Sequence, residues 1–191
     1  MVSIRAATSL DSDAVRQIHL AAFPESENLI VSSLAVNLLA EESAPETISL
    51  IAEVDGTAAG HIAFSPVTSD KDKRWSGYIL SPLAVKPDYQ KRQIGSKLIE
   101  TGMAQLSKMG VNALFVYGDP EYYGLFGFDA DKAAPYLAPY ELEFPFGWQV
   151  IILNDYPLAE SSVRLSCVES LSDPALWPLC HVVTDVVQEV A

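Results

Sequence analysis

The stretch from Leu80 to Ser96 constrains this chain more than any other. Tyr78 to Val85 is a largely apolar run that predicts a buried strand. Pro82 interrupts it; a proline cannot donate to a ladder, so a bulge or local break is expected there. A turn bearing Lys91 and Arg92 follows, and then the clearest helix of the chain, Gln93 to Met109. At about 100° per residue, Ile94, Gly95, Leu98, Ile99, Gly102, Met103, Leu106 and Met109 share one half of the wheel. Ser96, Lys97, Glu100, Ser107 and Lys108 occupy the other. Gly110 suits the left-handed position beyond the last turn. The free N–H groups and positive dipole end of such a helix start suit a phosphate. Gly95 permits close approach there, and Lys91 and Arg92 add charge. An ordinary strand–turn–helix with solvated cations fits the same spacing. Neither G-x-x-x-x-G-K-[ST] nor G-x-G-x-x-G occurs, so nucleotide hydrolysis and Rossmann-type dinucleotide binding lack support.

The rest of the chain reads as strands, hairpins and helices. Val2-Ser3-Ile4 predicts a short strand, and Thr8 with Asp11 resembles a capping box. The helix it opens carries Ala14, Val15, Ile18, Ala21 and Ala22 on its apolar stripe and stops at Pro24. A second helix is expected over about Glu27 to Glu41, with Ile30, Leu34 and Leu38 on one face. Strands over Ser49–Val54 and Ala59–Phe64 flank Asp55-Gly56, a hairpin signal. Ser69 to Arg74 reads as a solvated charged loop. Ala113 to Tyr117 predicts a buried strand, after which Asp119 can cap a short helix with Pro120 at its first position. Trp148 to Leu153 is a further strand, whose edge could mediate a dimer or lie covered. Residues 156–191 give no assignment. The pattern predicts a mixed α/β sheet with helices on its faces.

At 191 residues the chain fits one domain. A net charge of −13 disfavours nucleic acid and anionic membrane surfaces. It suits a cationic acceptor mildly and a solubility surface better. No apolar run reaches the roughly 18 residues of a membrane-spanning helix. The N-terminus shows no secretory pattern, so a cytoplasmic location is expected. Cys167 and Cys180 lack metal-type spacing and are expected as two buried thiols. His19 and His61 have no second ligand at metal spacing and are read as isolated structural histidines, and His181 supports nothing. No metal is expected.

Two blocks carry a family resemblance. Leu83-Ala84-Val85-x-Pro87-x-Tyr89-Gln90-x-x-Gln93-x-Gly95 resembles the acetyl-CoA motif of the GNAT (Gcn5-related N-acetyltransferase) superfamily, written Q/R-x-x-G-x-G/A. Gly118-Asp119-Pro120-Glu121-Tyr122-Tyr123-Gly124-Leu125-Phe126-Gly127-Phe128 is similar to the later signature ending in Y-x-x-x-G-F. With Gly60 to Val67, these blocks most resemble the YhbS-like acetyltransferases. The resemblance covers residues 1–155, leaving 156–191 as an extension packed on the same domain. Gln93 departs from the motif by standing where its first glycine should be.

The resemblance implies a mostly antiparallel sheet splayed into a V between its fourth and fifth strands, with helices on both faces. It implies an enzyme moving an acetyl group from acetyl-CoA to a primary amine of a small molecule or peptide, the alternatives being a non-catalytic acyl-CoA-binding module or an acyltransferase using an acyl carrier protein; monomer and homodimer both stay open. Pantetheine would run along Leu83, Ala84 and Val85, the pyrophosphate would sit on the N–H groups of Lys91, Arg92, Gln93, Ile94, Gly95 and Ser96, and Gln90 is implied at the same donor site. A backbone N–H near Leu83 would stabilise the oxyanion. Asp119 is implied at the donor site, and Tyr123 as the acid that protonates the departing thiolate. Tyr122 is read as packing with Phe126 and Phe128. The base for the amine is not identified; Glu25, Glu53 and His61 are its candidates.

Overall fold

The computed structural model describes residues 1–156 and 162–177. Its strands are β1 (Val2–Ala6), β2 (Ile48–Val54), β3 (Thr57–Ser69), β4 (Gly77–Val85), β5 (Ala113–Tyr117), β6 (Tyr136–Leu137), β7 (Trp148–Ile152) and β8 (Val163–Ser166). The helices are α1 (Ser12–Ala22), α2 (Asn28–Ala40), α3 (Ile94–Lys108), α4 (Pro120–Tyr123) and α5 (Ala130–Ala133). The sheet runs β1-β2-β3-β4-β5-β7, and β8 joins the far end of β3 and pairs with β6. Pairing along the main path is antiparallel except between β4 and β5, which are parallel.

The β2–β3 hairpin forms where Asp55-Gly56 predicts it. Both turn residues have positive φ, 49° and 82°, as a two-residue turn of this hand requires. β3 continues to Ser69, well past the predicted end at Phe64, because β4 on one side and β8 on the other use its extra length. The Thr8–Asp11 capping box is present, with the Thr8 amide 2.8 Å from the Asp11 carboxylate. It opens a single tight turn over Ser9–Asp11 that leads into α1.

The break expected at Pro82 is a bulge. Ile62 faces Leu83 and Phe64 faces Leu80, so Ser81 and Pro82 together oppose Ala63 alone. The extra residue resets the alternation: Tyr78 and Leu80, then Leu83 and Val85, all join the core beneath α3. Ile79 and Ala84 face the opposite side, where α1 and α2 pack.

α3 buries Ile94, Gly95, Leu98, Ile99, Gly102 and Leu106 as its periodicity predicts. Gly102 is required there, since a Cβ would stand 2.1 Å from the Phe64 ring. Met109 and Ala21, expected on apolar stripes, are exposed. Met109 lies just beyond α3, and Ala21 lies beside the buried side of α1, which Val15, Ile18 and His19 form.

The two histidines are not isolated. His19 of α1 and His61 of β3 are fully buried, and His19 Nε2 lies 2.9 Å from His61 Nδ1. Nε2 of His61 lies 2.7 Å from Ser49 Oγ. Cys167 is half-buried rather than buried, and Cys180 and His181 lie outside the described residues. The edge at β7 is partly covered: Asp129 exchanges backbone hydrogen bonds with Val150, at 3.0 and 3.1 Å. Among the described residues no helix is long and apolar enough to cross a membrane.

Candidate acyl-transfer site

β4 and β5 pair from Gly77–Ala113 to Leu80–Val116 and then separate. The bulge at Ser81-Pro82 sits at the point of separation, so β4 swings away from β5 where the ladder ends. This is the predicted V. A narrow cleft, open at its mouth, occupies the splay. Its floor and edge are Ile79, Leu80, Ser81, Pro82 and Leu83 of β4, with Tyr117 at the end of β5 and Tyr123 in α4. Phe23, Val31 and Leu34 form the wall on the side of α1 and α2. Leu171, Leu176 and Trp177 close the remaining side.

Tyr123 reaches this place through a short chain of local causes. Gly118 ends β5, held by Gly147 O at 2.9 Å from its amide. The Asp119 carboxylate then accepts from the Glu121 amide at 2.9 Å, capping α4. Tyr123 sits on that single turn, fully buried, edge-on to Tyr122 (5.1 Å) and Phe128 (5.6 Å). Tyr122 in turn packs edge-on to Phe126 at 5.2 Å. The aromatic cluster expected around these residues is present and holds the Tyr123 ring at the cleft.

On β4, the Lys86 amide donates to Ala59 O at 2.8 Å. In an antiparallel ladder such pairs alternate, so the backbone groups of Leu83 and Val85 turn from β3 toward the splay. One of them is already engaged: Gln90 Nε2 donates to Val85 O at 3.0 Å.

The turn before α3 explains the unusual residue at 93. Lys91 and Gln93 both have positive φ, 60° and 59°. Gln93 is the N-cap, in the left-handed region, where glycine is the low-cost residue. Its side chain is exposed. The first helical hydrogen bond runs from the Lys97 amide to Gln93 O, at 3.0 Å. The amides of Ile94, Gly95 and Ser96 therefore precede the helical ladder and carry its dipole. Lys91 is exposed beside them, and the exposed Arg92 guanidinium lies 5.4 Å from the centre of the Tyr89 ring.

None of the three candidate bases lines the cleft. Glu53 is bound by Arg5 at 2.9 Å at the β1–β2 edge of the sheet, and Glu25 is exposed between α1 and α2. His61 is sealed against His19 and Ser49. Burial pushes His61 down to about 3 and lowers His19 well below the usual histidine value.

A profile of the acetyltransferase (GNAT) family matches residues 12–126. The chain belongs to the GNAT family of acetyltransferases. It is 35% identical over 153 residues to the uncharacterized N-acetyltransferase YjhQ of Escherichia coli K12, covering 78% of this chain and 82% of that one. A GNAT acetyltransferase of Brucella melitensis, solved with acetyl-CoA, superposes with a TM-score of 0.65 at 28% identity, covering 90% of this chain and 99% of that one. The E. coli GNAT protein YhbS, solved with CoA, shares the fold at a TM-score of 0.76 and 24% identity, over 90% and 92% of the two chains. The GNAT fold here is the open, mostly antiparallel sheet with α3 on one face and α1 and α2 on the other.

Sequence reasoning placed the break at Pro82, the cation-bearing turn before α3 and Tyr123 on its capped turn. It missed the cleft walls Val31, Ile79, Tyr117, Leu171, Leu176 and Trp177. Val31 was legible in principle, one turn before Leu34 and Ala35 on a helix that is apolar on most of its surface. Leu171 to Trp177 carried no periodic signal, because they form two single turns, Glu169–Leu171 and Pro174–Leu176.

Proposed function

We propose that this acetyltransferase takes its acetyl group from acetyl-CoA and transfers it by direct attack to a primary amine of a small molecule or peptide. The observation carrying this reading is the cleft at the β4–β5 splay, bounded on its two sides by Leu83 and Tyr123. Pantetheine lies in the splay along Leu83, Ala84 and Val85. It takes hydrogen bonds from the strand edge, and shares the Val85 carbonyl with Gln90. The pyrophosphate rests on the amides at the start of α3, Ile94, Gly95 and Ser96, with Lys91, Arg92 and Gln93 in the turn around it. The exposure of the Gln93 side chain supports its pointing away while its backbone serves.

The amine nitrogen attacks the thioester carbonyl, and the Leu83 region supplies the backbone N–H that stabilises the oxyanion. The carbon–sulfur bond then breaks. Tyr123 gives its proton to the thiolate. Asp119 contributes by capping α4 and so fixing Tyr123. We infer a cytoplasmic enzyme, monomer or homodimer. We also assign residues 156–191 to the same domain, an assignment supported by the pairing of β8 with β3 and by Leu171 and Trp177 in the cleft wall.

Calorimetry with acetyl-CoA tests the donor site. The wild type binds it in the micromolar range, and Gly95→Trp abolishes binding. A folded wild type that binds no acetyl-CoA overturns the reading.

A further inference from the structure

The cleft at the splay has walls of one chemical kind on the side of α1 and α2. Phe23, Val31, Leu34, Ile79 and Trp177 present apolar or aromatic surface. The polar side chains among its described residues are hydroxyls and an indole, and two of these are already engaged. Tyr117 Oη accepts from the Phe144 amide at 2.9 Å, and Trp177 Nε1 donates to Leu171 O at 3.0 Å. No carboxylate or imidazole of the described residues lines the space. This is unexpected for a chain of net charge −13, whose acidic residues lie elsewhere.

The walls are also fixed. Trp177 leans on Trp148 at 6.3 Å, which stacks on Phe115 at 5.2 Å. The Glu41 carboxylate accepts from the amides of Glu169 and Ser170, at 2.9 and 3.1 Å. It thereby ties the segment bearing Leu171 and Trp177 to the end of α2.

We propose that the acceptor is a small, uncharged amine with a hydrophobic aromatic body, an arylamine being the representative class. This rests on the acetyl-transfer reading above and names the substrate of that site. An alkylammonium ion entering these walls would lose its water with no countercharge from the described residues in return. An arylamine is neutral near pH 7 because its lone pair is delocalised into the ring, and its body matches the walls.

The proton count favours the same class. A neutral amine forms the nitrogen–carbon bond, the carbon–sulfur bond breaks, and the sulfur takes the Tyr123 proton. The surplus proton on nitrogen then returns to the Tyr123 oxygen. Amide and thiol result with no further base. An ammonium ion must shed one more proton before it attacks, and none of the candidate bases faces the cleft. The cleft runs from Leu83 and Tyr123, between which the thioester lies in the reading above, to Phe23, Val31 and Leu34, where the acceptor's body is received.

Two isomeric probes separate the cases: para-butylaniline, neutral near pH 7, and phenylbutylamine, a cation of the same formula. Spermidine serves as a polycation. Release of CoA thiol from acetyl-CoA is followed with each, and para-butylaniline binding is measured by calorimetry without acetyl-CoA. The arylamine should exceed both alkylamines in kcat/KM by at least about 100-fold. Val31→Phe, which fills the cleft, and Trp177→Ala, which opens it, should each lower arylamine kcat/KM by at least about tenfold. Their folding is checked by circular dichroism and by retained acetyl-CoA binding. Equal or better turnover of spermidine or phenylbutylamine overturns the proposal. So does a preference for hexanoyl-CoA over acetyl-CoA that Val31→Phe removes, since the cleft would then hold the acyl chain. A wild type that fails to bind acetyl-CoA defeats the donor assignment alone. In that case, para-butylaniline binding that Val31→Phe abolishes upholds the cleft assignment, and absent binding overturns it.

Discussion

His19 Nε2 stands 2.9 Å from His61 Nδ1 in the sealed layer between α1 and the sheet, and the pair links helix to strand through its rings. Stacking of His19 on Phe23 at 5.8 Å extends that layer to the cleft wall. Desolvation holds both imidazoles neutral, with His61 at about 3 and His19 lowered in the same direction. The unfolded chain titrates near about 6.5. Below that value the unfolded state binds the more protons, so stability is whole above about 6.5 and falls on acidification toward the folded values. Each histidine contributes a slope of up to about 1.4 kcal/mol per pH unit in that window. Urea unfolding at a series of pH values, for wild type and His61→Gln, measures it. The variant should be less stable near neutrality and show a shallower slope; identical slopes would remove the pair from the acid response.

Tyr123→Phe deletes one hydroxyl and leaves the ring among Tyr122 and Phe128. Acetyl-CoA affinity should stay nearly the same while turnover falls by at least about tenfold. Steady-state kinetics beside calorimetry checks this. Unchanged turnover removes Tyr123 from the mechanism.

Gln93 holds a left-handed conformation that costs a side-chain-bearing residue about 1–2 kcal/mol. Glycine at this N-cap avoids that cost but loses more chain entropy, so Gln93→Gly should stabilise by about 0.5–1 kcal/mol. That shifts Tm upward by about 1–4 °C in a chain of this size. Because the side chain is exposed, acetyl-CoA Kd should change by less than about threefold. A tenfold gain in affinity would instead show that the glutamine crowds the phosphates.

Glu41 meets two backbone amides of the turn that precedes Leu171. Glu41→Ala should raise acceptor KM several-fold, leave acetyl-CoA binding alone, and cost about 1–2 kcal/mol. Kinetics with saturating acetyl-CoA reads the first effect. An unaltered KM would mean that the wall stands without this tie.

Local signals placed most of the elements. Asp55-Gly56 fixed a hairpin because both residues must take positive φ, and the apolar stripe of α3 fixed its buried face to within one residue at each end. Pro82 announced its bulge because it has no N–H to give. Met109 was misplaced because periodicity describes an endless helix and says nothing of where α3 stops, and Ala21 because it stands at the margin of the stripe that Val15, Ile18 and His19 bury.

The candidate site divides along the same line. Gln90 to Ser96 and Tyr123 were legible because a phosphate-type turn and a capped aromatic turn are contiguous pieces of chain. The cleft walls come from α1, α2, β4, β5 and the segment after 162, and no short pattern links Phe23 to Trp177. His19 and His61 look like unrelated residues 42 apart until the α1–β3 packing brings their rings together.

By itself, then, the sequence determined the elements, the bulge at Ser81-Pro82 and the cation-bearing turn before α3, since each depends on neighbours along the chain. Only the tertiary structure decided what the cleft is made of, because burial and countercharge belong to residues that meet in space. It left apolar walls beside Tyr123 and sent Glu53 to Arg5, at the β1–β2 edge of the sheet.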